Sequence, residues 1–150
     1  MNRPLPAVST MQELTDLLHT LQCSCIIKNG SNIRTFTERG IADLYRLLCE
    51  EPAFLKGAMV ADKVVGKAAA AIMVAGAVGE IHADVISRAA YDLLSQEGTP
   101  FGYTRLVPYI VRHDGQGMCP MEELTLDAPT PLEAVARITK KQQPKTDTDT

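Results

Sequence analysis

The sequence lacks most of the marks by which large protein classes are recognised. Its four cysteines, Cys23, Cys25, Cys49 and Cys119, include no CxxC pair and form no dense framework. That excludes a disulfide-stapled secreted scaffold and leaves reduced thiols in the cytosol as the simplest reading, with no structural disulfide expected. No charged-then-apolar leader is present, since Met1 to Thr10 holds two prolines and no apolar block, and the apolar run at residues 68–78 is far shorter than a membrane span. Basic residues are not clustered either. The net charge is −3, and a pair such as Lys140-Lys141 reads as part of a solvated tail, which argues against holding nucleic acid through its phosphates. A soluble cytoplasmic protein is expected, with no membrane and no nucleic-acid partner.

The common catalytic signatures are missing as well. There is no GxSxG nucleophile elbow and no GxGxxG dinucleotide loop. None of His19, His82 and His113 has a second ligand at a spacing typical of zinc, so no metal and no cofactor are expected. The nearest approach to a nucleotide motif is ADKVVGKAAAA at residues 61–71, where a strand-like run ends in Gly66-Lys67 and passes into alanines. A phosphate-binding P-loop needs Gly at both ends of its loop and a hydroxyl after the Lys. Ala61 and Ala68 stand where the first Gly and the hydroxyl belong.

What is present is the composition of a folded protein: 150 residues, 45% apolar and 22% charged, enough for one domain with a real core. The domain is placed at residues 1–140, with a disordered tail at 141–150, because 142–150 (QQPKTDTDT) has no aliphatic or aromatic side chain. Thr10-x-x-Glu13 is a capping box, and Met11, Leu14, Leu17, Leu18 and Leu21 share one helical face, which predicts a helix over 10–22. Segments 23–29 and 32–36 flank Asn29-Gly30-Ser31 and predict a hairpin. Ile41, Leu44, Tyr45, Leu47 and Leu48 repeat at helical spacing up to Pro52.

The second half alternates: strand 57–61, helix 67–77, strand 80–85, helix 88–97 ended by Gly98, strand 101–107. That rhythm means right-handed crossovers and an α/β fold with at least partly parallel sheet. Helix 67–77 carries no charge after Lys67, so it belongs against the sheet or at a subunit contact. Residues 108–120 read as irregular, and Thr130-Pro131-x-Glu133 opens a last helix to about Lys140.

Open α/β sheets take ligands at the carboxyl ends of strands, where helix N-termini favour anions. Two helix starts qualify. In Asp62-Lys63-Val64-Val65-Gly66-Lys67, Gly66 permits close backbone approach and Lys67 puts a cation where the dipole disfavours one, which points to an anionic partner or to a plain surface lysine. In Ile86-Ser87-Arg88, Ser87 is an N-cap candidate. The third candidate stretch runs from Arg112 to Glu122. It contains His113, Gly117, Cys119 and Glu122; Cys119 reads either as a nucleophile with His113 as base or as a small apolar residue. Asp114-Gly115 reads as a turn.

The order of elements, with Ala61-Asp62-Lys63-Val64-Val65-Gly66-Lys67-Ala68-Ala69, Val85-Ile86-Ser87, Leu106-Val107-Pro108-Tyr109-Ile110 and Gly117-Met118-Cys119-Pro120-Met121-Glu122, resembles the domain of unknown function 1893 family over roughly residues 12–140. The resemblance implies a three-layer α/β/α sandwich with a mixed sheet, cytidine-deaminase-like, whose pocket lies at the N-termini of the two central helices. In a zinc deaminase those starts carry H-x-E and P-C-x-x-C. Here they read Gly66-Lys67-Ala68 and Ile86-Ser87-Arg88-Ala89-Ala90, which offer no metal ligand, so zinc-dependent deamination is not expected.

Two functional readings remain. One is binding of a small anionic or nucleotide-like metabolite by Asp62, Gly66, Lys67, Ser87, Gly117, Cys119 and Glu122, with a non-zinc enzyme using Lys67 or Cys119, and His113, as its catalytic variant. The other is a non-catalytic interaction or self-association module, a homo-oligomer built through the apolar helix or an edge strand.

Overall fold

The computed structural model describes residues 7–38, 40–112 and 114–142. Helix α1 (Met11–Leu21) starts at the capping box: Thr10 Oγ1 accepts from Glu13 N, and Glu13 Oε1 accepts from Thr10 N, each at 3.1 Å. Strands β1 (Cys25–Asn29) and β2 (Asn32–Phe36) follow as an antiparallel hairpin in which Asn29 faces Asn32. Its two-residue turn is Gly30-Ser31, and Gly30 takes the positive φ of 59° that a tight turn needs. The Asn29 side chain donates to the Phe54 and Lys56 carbonyls at 2.9 Å, which pins the hairpin to the segment beyond α2 (Ala42–Glu50). Pro52 ends α2, as the periodicity requires, and then opens a short helix of its own, α3 (Pro52–Leu55).

The remaining elements are β3 (Met59–Val65), α4 (Lys67–Ala75), β4 (Glu80–Ser87), α5 (Arg88–Glu97), β5 (Phe101–Val107), α6 (Pro120–Thr125) and α7 (Pro131–Gln142). The five strands form one mixed sheet in the order β2-β1-β3-β4-β5. β3, β4 and β5 are parallel, while β1 runs antiparallel to both its neighbours. β3 and β4 extend beyond the predicted 57–61 and 80–85. Val64 and Val65 pair with Val85 and Ile86, so the stretch expected to loop before Gly66 is sheet up to its last residue. β3 thus feeds α4 with one intervening residue, and β4 feeds α5 with none.

Alternation along the strands builds two cores. Ile26 and Ala61 meet Leu14, Leu17 and Leu18 of α1 on one face. Ile27, Val60 and Ile81 meet Ile72 and Met73 of α4 on the other, with Leu94 of α5 and Ile138 of α7. Helix α4 is buried from Lys67 through Met73, hemmed by α5, α7, α2 and α6. Its alanines let these neighbours close in. At its end, Gly76 lies so near Leu55 that a Cβ there would come within 2.8 Å of Leu55 Cδ1.

This corrects one version of the self-association reading: the apolar helix is covered within its own chain and has no free face to offer. The sheet edges are β2 and β5. Two other expectations change. The irregular stretch is followed, before the last helix, by a short helix that the pattern did not indicate: Pro120 opens α6 with Glu122 and Glu123 in its first turn. Residues 141 and 142, assigned to the tail, continue α7; the rest of that tail lies outside the described residues. Among the described residues no helix is long and apolar enough to cross a membrane.

Candidate functional site

The two helix starts lie side by side because β3 and β4 are adjacent parallel strands. At the first, Gly66 is the N-cap of α4, and an N-cap glycine has no side chain to satisfy the exposed N–H groups behind it. At the second, Ser87 caps α5, its Oγ accepting from Ala90 N at 3.1 Å. Between them sits the carboxylate of Glu122. Its Oε1 accepts from Lys67 N at 2.7 Å and from Ser87 Oγ at 3.1 Å, and its Oε2 accepts from Ile110 N at 2.7 Å. Glu122 is 2% exposed. The fit is tight, since a Cβ on Gly66 would fall 3.2 Å from Glu122 Oε1 and 3.0 Å from Ile110 Cγ1. The helix start does bind an anion, and the anion belongs to the protein.

Lys67 takes no part in that contact through its side chain. The ammonium turns away and donates to the carbonyls of Leu126 and Ala128, each at 2.8 Å. It borders a small groove of about 360 Å³ formed with α5 and the residues before α7. Burial holds it below the usual lysine range, opposed by the carboxylate of Asp127. The expectation of a lysine presented to an anionic ligand is therefore corrected. The residue closes the turn after α6, where carbonyls freed by the end of a short helix need donors.

A larger cleft of about 740 Å³ opens on the other side of Gly66. Its walls come from β1, residues described after β2, the start of α2, the second half of β3, the start of α4, and Ile110, Val111, Cys119, Met121 and Glu122. Asp62, Gly66, Cys119 and Glu122 line it; Lys67, Ser87 and Gly117 do not. Gly117 shapes the wall at a distance, its carbonyl accepting from Arg112 N at 2.8 Å in a small hairpin bridged at Val111 and Met118. Asp114 makes the expected turn, accepting from Gln116 N at 2.9 Å. Cys119 is half-buried and precedes α6. His113 lies outside the described residues, so the proposed pairing with Cys119 has no geometry to report.

Asp62 is the unusual group in the cleft. It is 9% exposed, its backbone hydrogen bond is long, 3.3 Å from Val64 N, and the Cys25 thiol is a second, weaker donor. The neighbouring Lys63 N–H is engaged by the Ser24 carbonyl at 3.0 Å. Burial pushes the Asp62 carboxyl up to about 7, with a smaller push from Asp84. Directly across the antiparallel pair is Cys25, whose buried thiol is driven well above its ordinary range, first by desolvation and then by Asp62. A thiol so placed stays protonated and offers its S–H to the carboxyl. Cys25 is the cleft residue that motif reasoning missed. The available signal was register: once the hairpin turn is fixed, Cys25 and Ile27 fall on one face.

On the opposite face, Asp84 joins two histidines: His19 Nε2 lies 2.8 Å and His82 Nε2 3.1 Å from its carboxylate oxygens. Among the described residues no group of three or more His, Cys, Asp and Glu is disposed to hold a metal ion.

A mixed α/β sheet with a cleft at the start of its central buried helix defines an α/β protein with one principal candidate ligand site. The chain matches, over residues 13–141, the family model described as Domain of unknown function (DUF1893), and it belongs to that family. A solved DUF1893 family protein from Thermotoga maritima is 28% identical, with a TM-score of 0.81 over 94% of this chain and 97% of that one. No curated protein matches.

Lys67→Met should destabilise the protein by about 2–3 kcal/mol, because two carbonyls lose a charged donor in a confined place. Denaturant unfolding measures this; an unchanged midpoint would mean that the ammonium is free. Asp62 makes stability depend on pH. Its folded value of about 7 exceeds the ordinary aspartate value of 3.8, so the native state holds its proton longer than the unfolded chain. Its contribution therefore falls as pH rises from about 4 to about 7. Asp62→Asn removes that dependence and should stabilise the protein by on the order of 4 kcal/mol at most near pH 8, and little near pH 4. Unfolding curves of both proteins across this range check the sign; a variant less stable near pH 8 contradicts it.

Proposed function

We propose that this protein binds a small organic molecule in the cleft beside Gly66, with the deaminase-like arrangement of the fold used as a ligand holder. The observation that carries this reading is the cleft itself: about 740 Å³, within the range of small-molecule sites, floored by a buried and poorly satisfied carboxyl. Apolar side chains from Ile27, Phe36, Ile41 and Leu44 supply the body of the site. The location at the N-terminus of the central helix is the one that the deaminase-like reading implies.

The ligand is not bound as an anion at the helix starts. Glu122 already fills that position, and the described residues lining the cleft carry the carboxylates of Glu38, Asp43, Asp62 and Glu122 against the single ammonium of Lys63. A neutral or cationic molecule fits this lining better than the anionic metabolite expected from the sequence. Asp62 is also the group best suited to moving a proton near neutral pH. Cys119 is the nucleophilic side chain available to a covalent step, whereas Lys67 is committed to carbonyls.

A thermal-shift screen of small molecules against wild type and Val111→Trp tests the reading. Val111 lines the cleft and is 50% exposed, so the larger ring fills the opening without disturbing a core. A true ligand present at about a hundredfold its Kd adds about 2.7 kcal/mol to the wild type and much less to the variant. Equal stabilisation of both proteins, or no stabilisation of the wild type by any neutral or cationic compound, contradicts the proposal.

A further inference from the structure

The cleft contains two buried carboxylates in opposite states of satisfaction. Glu122 accepts three hydrogen bonds of 2.7 to 3.1 Å, so its oxygens are committed. Asp62 accepts one at 3.3 Å and has the Cys25 thiol beside it. A buried carboxylate needs several donors to offset its desolvation, and the protein supplies Glu122 with them while leaving Asp62 short. The cleft is the side from which further donors can reach Asp62, supplied by solvent when it is empty and by a molecule seated there when it is filled.

Resting on the reading of the cleft as a ligand site, we infer that its ligand carries an amidine-, guanidine- or amine-type nitrogen head that donates to Asp62. Two parallel N–H groups of an amidinium match the two oxygens of a carboxylate, and the positive charge replaces the solvation that burial removes. The surrounding charges agree in sign. Glu38, Asp43 and Glu122 line the same cleft, and Asp84 acts on Asp62 from the other face of β4; among the described lining residues Lys63 is the opposing cation, and the Cys25 thiol contributes no charge. A carboxylate or phosphate head in that place would meet an acidic lining.

Because a cation stabilises the ionised acid, its binding takes a proton from Asp62 and strengthens as pH rises through the titration of that group. The test uses three probes of one shape, benzamidine, benzamide and benzoate, titrated calorimetrically into the wild type and Asp62→Asn near pH 5.5 and pH 8.5. Contacts at Val111 and Cys119 are followed by NMR. Benzamidine should bind the wild type at least about tenfold more tightly than either analogue at the higher pH, and about tenfold more weakly at the lower. Asp62→Asn should reduce benzamidine to the level of benzamide and remove the pH dependence of its binding. The inference is overturned, with the cleft reading intact, if benzamide or benzoate matches benzamidine in the cleft, if Asp62→Asn binds benzamidine as the wild type does, or if a compound from the screen occupies the cleft while benzamidine does not. Failure of every compound to shift the cleft resonances overturns the cleft reading itself.

Discussion

The carboxylate of Glu122 is the contact on which the arrangement of the site depends. It joins the backbone at the start of α4, the capping hydroxyl of α5 and the backbone of Ile110, three parts of the chain that would otherwise meet only at a gap. A parallel pair of strands brings two helix N-termini together, and with them two positive dipole ends that repel each other. An anion between them is the natural remedy. In many α/β proteins a ligand supplies it; here α6 does, and the identities of Gly66 and Ser87 follow. A Cβ at Gly66 would crowd the carboxylate and Ile110, and the Ser87 hydroxyl accepts from α5 while donating to Glu122.

The cleft's character follows from that closure. With the helix starts neutralised internally, the open volume lies toward β1 and α2, among apolar side chains and acids. The group left unsettled is Asp62, buried in the middle of β3 opposite Cys25. An unsatisfied carboxyl that titrates near neutrality costs stability, and such a cost is commonly retained where a protein binds or reacts. Lys67, the cation that attracts attention in the sequence, belongs to the scaffold: it ties the turn after α6 to the head of α4.

Much of the fold was legible because its signals are local. The capping box at Thr10 and Glu13, the Asn29-Gly30 turn, the stop at Gly98 and the opening at Pro131 each fix one or two backbone groups, and all stand where the sequence places them. Strand ends were less legible. Val64 and Val65 are held as sheet by partners on β4, about twenty residues away, which a local pattern does not reveal. The site was legible as a neighbourhood and not as a set of contacts. Asp62, Gly66, Cys119 and Glu122 were all named as ligand-binding candidates and all line one cleft. That Glu122 satisfies the helix start and that Lys67 points elsewhere are facts of long-range packing. No spacing along the chain encodes which way a lysine turns when carbonyls lie on one side and a cleft on the other.

The most direct test of the account is a crystal structure of the protein grown from concentrated phosphate, examined at the N-terminus of α4. The account predicts the Glu122 carboxylate within hydrogen-bonding distance of Lys67 N, Ser87 Oγ and Ile110 N, the Lys67 ammonium on the Leu126 and Ala128 carbonyls, and no phosphate between the two helix starts. A phosphate seated on Lys67 N, with Glu122 displaced and the Lys67 side chain turned toward the bound anion, would contradict it and restore the helix start as a site for anionic ligands.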